Sequence, residues 1–427
     1  MKSRKSYQKS RRPRPASGGK AKAKKPTTVP ADAVLVNGYS ARWLGQRFPW
    51  VYPKELESVR PKPQQEVRIL GPDGRVLGRG LTDDGWIAVR VYRHDEGPLD
   101  DAWLDDGLSR ALALRRAVVP AKTTAFRLIH GENDGMPGLR VDHWSGWLVC
   151  QCDSPAVVAM AERVAVRLRD HHDLEVKGAY ICYRPDPRDP RDPASFQPRP
   201  TKLFGPDLHD DVEVVENGMK LGVRPWDGPD VGAYADMREV RQWLASRWEG
   251  RSVLNTFCYT GAFSVHAARH GASSTVSVDL ASPVLERVEA NLARNGQHGP
   301  AHEVLGSDTF RALDRFRRQG RRFDVVVLDP PSFSHGPDGV WSITQHLSRL
   351  VSAAARVLEP NGWLVVASNH GQTAPKAFRG DVAEGMKKAG GFGQELAFFG
   401  AAPDYPCATT FPEARYLKVG VWRFVKG

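Results

Sequence analysis

Apolar and polar positions follow two different patterns along the chain, and one of them fills its C-terminal half. From about Val231, short apolar runs such as SVLNTF, TVSVDL and FDVVVL alternate with amphipathic segments such as SPVLERVEANLARNG and TFRALDRFRRQG. Continuous apolar runs are typical of strands buried on both faces, and an apolar spacing of about 3.6 residues is typical of helices. Alternating strands and helices predict a parallel sheet covered on both faces. We therefore predict an α/β, Rossmann-like domain over residues 226–427.

The second pattern lies N-terminal to this domain. The stretch EVRILGPDGRVLGRGLTDDGWIAVRVY alternates apolar and polar residues around the turns GPDG and DDG, which predicts a small antiparallel β domain over residues 31–98. Residues 99–119 and 156–172 have helical spacing. Two strands separated by a glycine-rich turn are predicted in FRLIHGENDGMPGLRVDHWSGWLVCQC, and three short strands in DVEVVENGMKLGVRP. These elements predict an α+β middle domain over residues 99–225, with a proline-punctuated exposed loop before its last strands.

The positive charge of the chain is concentrated at its N-terminus. Residues 1–28 contain 11 of the 61 Lys and Arg residues and no acid, so 50 basic residues remain against 49 acidic ones. Few apolar residues and a high charge predict a disordered tail over residues 1–30. Such a tail attracts phosphate backbones without reading their sequence, and the alternative is a tail that only promotes solubility.

Several classes of protein are disfavoured by composition. No run of 18 apolar residues occurs, and the N-terminus lacks the apolar core of a secretory signal. The five cysteines have no metal-ligand spacing, which favours reduced thiols in a cytoplasmic protein without a metal. The sequence leaves the oligomeric state open.

Polar residues at the predicted strand ends indicate a nucleoside cofactor. In sheets of this kind, ligands bind outside the C-terminal ends of the strands. Gly261 opens the helix after the first strand, Asp279 ends the second strand and Asp308 follows the third. An acid in the position of Asp279 can accept hydrogen bonds from ribose hydroxyls, and Asp308 would lie near the adenine amine. The loop CYTGAF lacks the glycines of a dinucleotide-binding turn, so S-adenosylmethionine is the better fit. The alternative for each acid is a helix N-cap.

The stretch DPPSF after the fourth strand indicates the substrate. Pro330 and Pro331 make a rigid loop without backbone donors, so the Asp329 carboxylate and the carbonyls remain as acceptors. Phe333 could stack on a planar ring. Acceptors beside a stacking face suit an extruded nucleobase. The alternative is a simple turn with Phe333 in the core.

Taken together, the motifs resemble those of class I methyltransferases that modify large-subunit ribosomal RNA, and most closely the large-subunit methyltransferase I family. The resemblance covers residues 34–427 through the stretches QRFPWVY, FRLIHGENDGMPGLRVDHW, DVGAYADMREVR, VLNTFCYTGAF, VVLDPPSF and YPCATTFPEARYLK. It implies an RNA-binding PUA domain at the start, S-adenosylmethionine as the cofactor and 23S rRNA as the partner. It also implies cofactor contacts from Asp236, Arg238, Tyr259 and Asp329, although Met237 replaces the glutamine of the family's Asp-Gln-Arg triplet.

The chain departs from this family after the fifth strand. There the cytosine carbon-5 enzymes carry a nucleophilic Cys in a Ser-Cys-Ser segment, whereas this chain has Ser368, Asn369 and His370. The segment is closer to the Ser-Asn-Asn of guanine nitrogen-7 rRNA methyltransferases, whose loop reads Asp-Pro-Pro-Thr-Phe. Nitrogen 7 has its own lone pair and needs alignment rather than covalent activation.

We therefore predict direct methyl transfer to a base nitrogen, with guanine nitrogen 7 favoured. Asp329 and Asn369 are the predicted catalytic residues, and Pro330, Pro331, Phe333 and His370 the predicted contacts of the base. His370 could instead be a surface histidine. Two other functions stay open: a cytosine carbon-5 enzyme with a relocated cysteine, and an RNA-binding or ribosome-assembly factor without catalysis.

Overall fold

The computed structural model describes residues 28–183, 200–228, 230–336 and 339–427. The predicted basic tail lies almost wholly outside these residues, as does most of the predicted proline-rich loop. Within the described part, no helix is both long and apolar enough to cross a lipid bilayer.

The N-terminal region is one small sheet with a helix. Its elements are β1 (Ala33–Leu35), α1 (Gly38–Leu44), β2 (Trp50–Val51), β3 (Glu66–Leu70), β4 (Val76–Thr82) and β5 (Val89–Arg93). The strand order is β1-β3-β4-β5-β2, and β1 pairs with β3 in parallel, so the expectation of a purely antiparallel unit is wrong. The prediction also missed α1, a seven-residue helix that begins where the Asn37 side chain accepts a hydrogen bond from the Ser40 amide.

The middle region packs two helices against a second five-stranded sheet. Its elements are α2 (Asp101–Val118), β6 (Ala125–His130), β7 (Leu139–Trp144), β8 (Trp147–Cys152), α3 (Val158–Arg169), β9 (Gly178–Tyr183), β10 (Thr201–Phe204), β11 (Val212–Glu216) and β12 (Met219–Val223). The sheet order is β10-β9-β8-β7-β6, and β11 and β12 form a separate hairpin.

Two strand counts predicted for this region are wrong, and tight turns are the reason. The expected pair of strands over 126–152 is three, because Ser145 and Gly146 have positive φ and reverse the chain between β7 and β8. The expected three strands over 211–225 are two, joined at Asn217 and Gly218, which also have positive φ. Positive φ at both central residues is the geometry of a two-residue hairpin turn.

The C-terminal region contains a seven-stranded sheet. Its elements are α4 (Arg238–Leu244), β13 (Ser252–Thr256), α5 (Ala262–Arg269), β14 (Ser274–Asp279), α6 (Ser282–Arg294), β15 (His302–Gly306), α7 (Thr309–Arg318), β16 (Phe323–Leu328), β17 (Phe333–Gly336), β18 (Gly339–Ser342), α8 (Ile343–Ala355), β19 (Leu358–Ser368), α9 (Pro375–Lys388), β20 (Gly391–Phe399) and β21 (Lys418–Lys426). The order is β15-β14-β13-β16-β19-β21-β20, and β21 runs antiparallel to both of its neighbours. The predicted α/β fold is confirmed, with parallel pairing among the five predicted strands β13, β14, β15, β16 and β19, whereas β20 and the antiparallel β21 were not predicted.

Helices cover both faces of this sheet, as the apolar runs predicted. Val326 and Leu328 pack into a cluster with buried residues of α7, α8 and α9. Val325 and Val327 point the opposite way, into a cluster with residues of α4 and α5. Since side chains alternate along a strand, the two clusters lie on opposite faces.

Other details of this region also differ from the predictions or were not anticipated. The helix expected to run through LEPNG ends at Ala355, and that stretch enters β19 with a shift in its register to β16. The hairpin of β17 and β18, which begins at Phe333 of DPPSF, was not predicted. The boundaries of the three domains, at 98/99 and 225/226, remain predictions.

Candidate functional site

Strand register brings the predicted site residues to one edge of the sheet. Thr256 of β13 pairs with Val278 of β14 and with Leu328 of β16. The residues that follow these three in the chain are Phe257, Asp279 and Asp329, so they lie side by side at the C-terminal edge of the sheet. The strand ends that the sequence predicted to converge therefore do so.

The loop after β13 has an unusual backbone. Phe257, Tyr259 and Gly261 all have positive φ, at 53°, 48° and 82°. Non-glycine residues with positive φ are uncommon and concentrate at functional sites. Gly261 also lacks room for a side chain, because a Cβ there would lie 2.7 Å from Cγ1 of Val288. We call residues 257–261 the cofactor loop.

Asp279 holds this loop in place. Its Oδ2 accepts a hydrogen bond from the Tyr259 amide at 3.0 Å, and its Oδ1 accepts from the Leu280 amide at 2.7 Å. Helix α6 begins three residues later, at Ser282, with Ala281 as its N-cap, so the N-cap alternative for Asp279 is wrong. A carboxylate has about four lone-pair sites, so further acceptor capacity remains for a ligand.

Asp308 caps a helix, which is the alternative role that the sequence offered for it. It is the N-cap of α7, and its Oδ1 accepts a hydrogen bond from the Arg311 amide at 3.1 Å. The side chain is partly exposed at the same edge of the sheet, two residues after β15 ends. A cap and a ligand contact are compatible for a carboxylate with two oxygens.

The DPPSF stretch forms one wall of the site. Pro330 is buried and Pro331 exposed, and Phe333 keeps 56% of its surface exposed, so the core alternative for Phe333 is wrong. The hairpin of β17 and β18 supports this wall: the Trp341 indole Nε1 donates to the Pro331 carbonyl at 2.7 Å. Trp341 also lies 6.1 Å from the ring of Phe257 in the cofactor loop, measured between ring centroids.

The residues after β19 form the facing wall. Asn369 is exposed, and its Oδ1 accepts a hydrogen bond from the Ser332 hydroxyl at 2.6 Å, which joins the two walls. His370 is half-buried, with its Nδ1 2.7 Å from the Thr373 hydroxyl. The Lys418 ammonium donates to the His370 carbonyl at 2.7 Å and so holds this turn. Burial lowers the pKa of His370, which favours the neutral ring.

The carboxyl groups of Asp329 and Asp236 are close enough for the charge of Asp236 to act on Asp329. Burial and the nearby charge of Asp236 raise the pKa of Asp329 to about 7, with Arg241 acting in the opposite direction. Burial also raises the pKa of Asp236, whose Oδ2 accepts from the Tyr416 hydroxyl at 2.6 Å. Oδ1 of Asp236 is buried and lacks a hydrogen-bond partner among the described residues. Two buried carboxyls with spare acceptor capacity fit a cationic ligand.

Arg238, another predicted cofactor contact, is engaged in a buried ion pair. Its side chain is fully buried, and its Nη2 donates to Oδ1 of Asp404 at 2.5 Å. Asp404 belongs to residues 400–417, the closing segment between β20 and β21. Nη2 therefore holds this segment, a structural role that the resemblance did not imply, whereas Nη1 is buried without a hydrogen-bond partner among the described residues.

The sequence did not single out several residues of the site. A small pocket behind the cofactor loop is lined by Asp329 and Tyr259 and also by Tyr234, Arg241, Asn255, Phe257 and Phe263. Arg241 donates two hydrogen bonds of 2.6 Å to Glu216 of β11 and a third to the Tyr234 carbonyl. Arg241 and Glu216 are far apart in sequence, so no local pattern indicates their contact. Only charges that recur at these positions in related sequences could have indicated it.

None of the five cysteines lies in the turn after β19. Cys150, Cys152 and Cys182 are buried in strands of the middle sheet. Cys258 is buried in the cofactor loop, and burial raises the pKa of its thiol well above the ordinary value. Cys407 is half-buried in the closing segment.

Comparison with known proteins agrees with the geometry. Residues 201–400 match a family described as S-adenosylmethionine-dependent methyltransferase, and residues 34–94 match a PUA-like domain. A ribosomal RNA large subunit methyltransferase I from Shewanella amazonensis is 32% identical over 88% of this chain and 95% of its own length. A protein of the same name from Aeromonas hydrophila is 32% identical over 91% of this chain and 98% of its own length.

Solved structures share the whole fold. A methyltransferase solved in complex with SAH has a TM-score of 0.81 at 22% identity, and covers 92% of this chain and 99% of its own length. An S-adenosylmethionine-dependent methyltransferase from Streptococcus mutans has a TM-score of 0.79 at 22% identity over the same shares. At this level of identity the likeness establishes the fold.

Proposed function

Since the chain belongs to the ribosomal RNA large subunit methyltransferase I family, we propose that it methylates a base nitrogen of ribosomal RNA, with guanine nitrogen 7 favoured. It is an S-adenosylmethionine-dependent methyltransferase, so the non-catalytic alternative is set aside. The RNA follows from the names of the relatives and from the PUA-like domain at residues 34–94. The choice of a nitrogen rests on one observation, which is Asn369 in the turn after β19.

The cofactor contacts are assigned by chemical type. Asp279 accepts from the ribose hydroxyls, and Asp308 accepts from the adenine amine. Asp236 and Asp329 face the cationic end of the molecule, where the unpartnered Oδ1 of Asp236 and the raised pKa of Asp329 indicate a missing positive charge. Bound there, S-adenosylmethionine supplies an activated methyl group.

The substrate base lies between the two walls. Phe333 is exposed and able to stack on it, and Asn369 is within reach of Ser332 on the opposite wall. An amide can donate to and accept from a base edge, so Asn369 orients the ring. Pro330, Pro331 and His370 line the same opening and limit the positions that a base can adopt.

Direct transfer requires alignment and no covalent intermediate. A cytosine carbon-5 enzyme needs a thiolate at carbon 6, because carbon 5 is a poor nucleophile. The turn after β19 offers the amide of Asn369 in place of a thiol. The thiol of Cys258 is buried, and burial disfavours its ionisation. Nitrogen 7 of guanine has a lone pair, so holding it in line with the methyl group is sufficient.

Analysis of the methylated nucleoside tests this proposal. Large-subunit rRNA is treated with the enzyme and isotopically labelled S-adenosylmethionine, digested to nucleosides and examined by mass spectrometry. We expect labelled 7-methylguanosine, with activity retained when all five cysteines are replaced and lost in Asp329→Ala. Labelled 5-methylcytidine would contradict the assignment.

The cytosine carbon-5 function remains the second candidate, and Cys407 is the observation that favours it. This thiol is half-buried in the closing segment, whose Tyr416 contacts Asp236 of the site. If Cys407 is the nucleophile, Cys407→Ser should abolish transfer while S-adenosylmethionine still binds. RNA containing 5-fluorocytosine should then form a stable adduct with the wild-type protein and not with the variant.

A further inference from the structure

A basic groove crosses the outer face of the helices that cover one side of the C-terminal sheet. The groove has a volume of about 810 Å³ and lies against α7, α8 and the end of α9. Four of its lining residues are basic and one is acidic: Arg317, Arg349, Arg356, Lys388 and Asp314. Phe310 and Leu313 form its apolar floor. None of these residues belongs to the site described above.

Two of the arginines have no acidic partner among the described residues. Arg317 is paired with Asp314 at 2.8 Å, and Lys388 with Glu384 at 3.5 Å. Arg349 instead lies over the ring of Phe310, with its guanidinium carbon 4.7 Å from the ring centroid. Arg356 donates only to the Lys388 carbonyl, at 2.9 Å. Both side chains are exposed and so keep free N–H groups that face solvent.

The spacing of these two residues places them along one line. They are seven positions apart on α8 and its C-cap, which is two helical turns and about 10 Å on one face. Helix α7 lies alongside and adds positive charge, because residues 309–322 contain six arginines and one acid. A helix surface that only faces solvent does not require such an excess of positive over negative charge.

The upper end of the groove meets the active-site wall. The Phe310 ring lies 6.1 Å from the ring of Trp341, whose indole donates to the Pro331 carbonyl of the DPPSF loop. Helices α7 and α8 both begin at the C-terminal edge of the sheet, where the site lies, and run away from it. The groove therefore leads from the mouth of the site to the opposite edge of the sheet.

We propose that this groove binds the phosphate backbone of the substrate RNA on one side of the methylated base. The inference rests on the proposed function, because it takes the substrate to be an RNA strand that extends beyond the pocket. Guanidinium groups match phosphate with forked hydrogen bonds, and the aromatic floor offers a surface for one unpaired base. The binding is independent of sequence, since backbone contacts position a strand and do not identify it.

Neutralising the two unpaired arginines tests the groove. The double variant Arg349→Gln/Arg356→Gln is compared with wild type for binding of a labelled 16-nucleotide single-stranded RNA at several salt concentrations. Each lost phosphate contact should reduce the slope of log affinity against log salt by about 0.7, so the expected reduction is about 1.4. The KM for large-subunit rRNA should rise on the order of 10-fold with kcat nearly unchanged.

Two control variants show whether the effect comes from the charge of Arg349 and Arg356 at this place, and not from misfolding or from a change in the net charge of the protein. Arg349→Lys/Arg356→Lys keeps the charge and should keep most of the salt slope. Arg110→Gln/Arg116→Gln removes two exposed arginines of α2 in the middle region, and should leave the slope and KM unchanged. Calorimetry with S-adenosylmethionine verifies that each variant retains a folded site.

These experiments distinguish a failure of the groove proposal from a failure of the proposed function. A groove variant with the salt slope and KM of wild type would overturn the inference, and so would an equal effect of the α2 control. If wild type methylates no base nitrogen of rRNA, the proposed function fails, and the slope measured with single-stranded RNA still decides whether the groove binds a phosphate backbone.

Discussion

At the scale of single residues, the carboxyl of Asp329 makes the site sensitive to pH. Its pKa is raised to about 7 by burial and by Asp236, so in the cofactor-free protein it is protonated below that pH. A cationic ligand favours the ionised form. The affinity for S-adenosylmethionine should therefore rise on the order of 10-fold between about pH 6 and about pH 8.

Calorimetry of Asp329→Asn at both pH values isolates this group, because the amide does not titrate and the rise attributable to Asp329 should disappear. The folded pKa lies above the unfolded value of about 3.9, so folding takes up a proton between these values. The free energy of unfolding of the cofactor-free protein should consequently fall as pH rises through this window, and less so in the variant. Asp308→Asn serves as the control and should keep the wild-type dependence; an unchanged profile in Asp329→Asn would show that another group titrates.

Gly261 is the residue whose backbone most restricts substitution in the cofactor loop. Its φ is 82°, and a Cβ would meet Val288 at 2.7 Å. Gly261→Ala should destabilise the protein by about 1–3 kcal/mol and weaken S-adenosylmethionine binding, measured by thermal unfolding and calorimetry. Gly296→Ala is a matched control, since Gly296 has a φ of 68° and open space around its Cβ position. Equal losses of cofactor affinity in both variants would contradict the prediction.

At the scale of elements, the hairpin of β17 and β18 supports the wall that we propose to face the base. Trp341 donates to the Pro331 carbonyl at 2.7 Å and packs near Phe257 and Phe310. Trp341→Ala removes one hydrogen bond and this packing, so the DPPSF loop should lose its fixed position. We expect kcat/KM for rRNA to fall on the order of 10-fold.

Val340→Ala, in the same strand, is the control for this change, because Val340 is 53% exposed and should be tolerated. Steady-state kinetics of both variants, with calorimetry of S-adenosylmethionine, give the measurement. A Trp341→Ala enzyme with wild-type kcat/KM would mean that the loop holds its shape without the hairpin.

At the scale of the whole molecule, Asp404 of the closing segment joins the middle and C-terminal regions. Its fully buried carboxylate accepts from the Arg127 amide at 2.8 Å and from Arg238 at 2.5 Å. Its carbonyl also accepts from Arg115 of α2 at 3.0 Å. Asp404→Ala would leave the buried guanidinium of Arg238 without its main partner, at a cost of about 3–5 kcal/mol.

Denaturant unfolding measures this loss. Asp106→Ala, which removes an exposed ion pair with Arg110 on α2, should cost less than about 1 kcal/mol and serves as the control. If Asp404→Ala unfolds with the midpoint and slope of wild type, the closing segment contributes little to the union of the two regions.

The chain's local patterns were sufficient for five strands of the C-terminal sheet, the helices between them and the residues at the strand ends. Apolar runs and helical periodicity are properties of neighbouring residues, and parallel strands bring their C-terminal ends to one edge, so Asp279, Asp308 and Asp329 could be placed there from the sequence alone. Turns were less predictable, because a tight turn such as the one at Ser145 and Gly146 is not marked by any periodic pattern of apolar residues.

Only the packing of distant segments determined how the site is built. Tyr416 and Asp236 are 180 residues apart, Arg238 and Asp404 are 166 apart, and Ser332 and Asn369 are 37 apart. Whether a polar side chain meets a ligand or a buried partner depends on which remote segment lies opposite it, and local propensity carries no information about that choice. For this reason Asp236 and Arg238, two residues apart in one motif, differ in their surroundings: Asp236 is held by Tyr416 and Arg238 by Asp404, and each keeps one buried polar atom without a partner among the described residues.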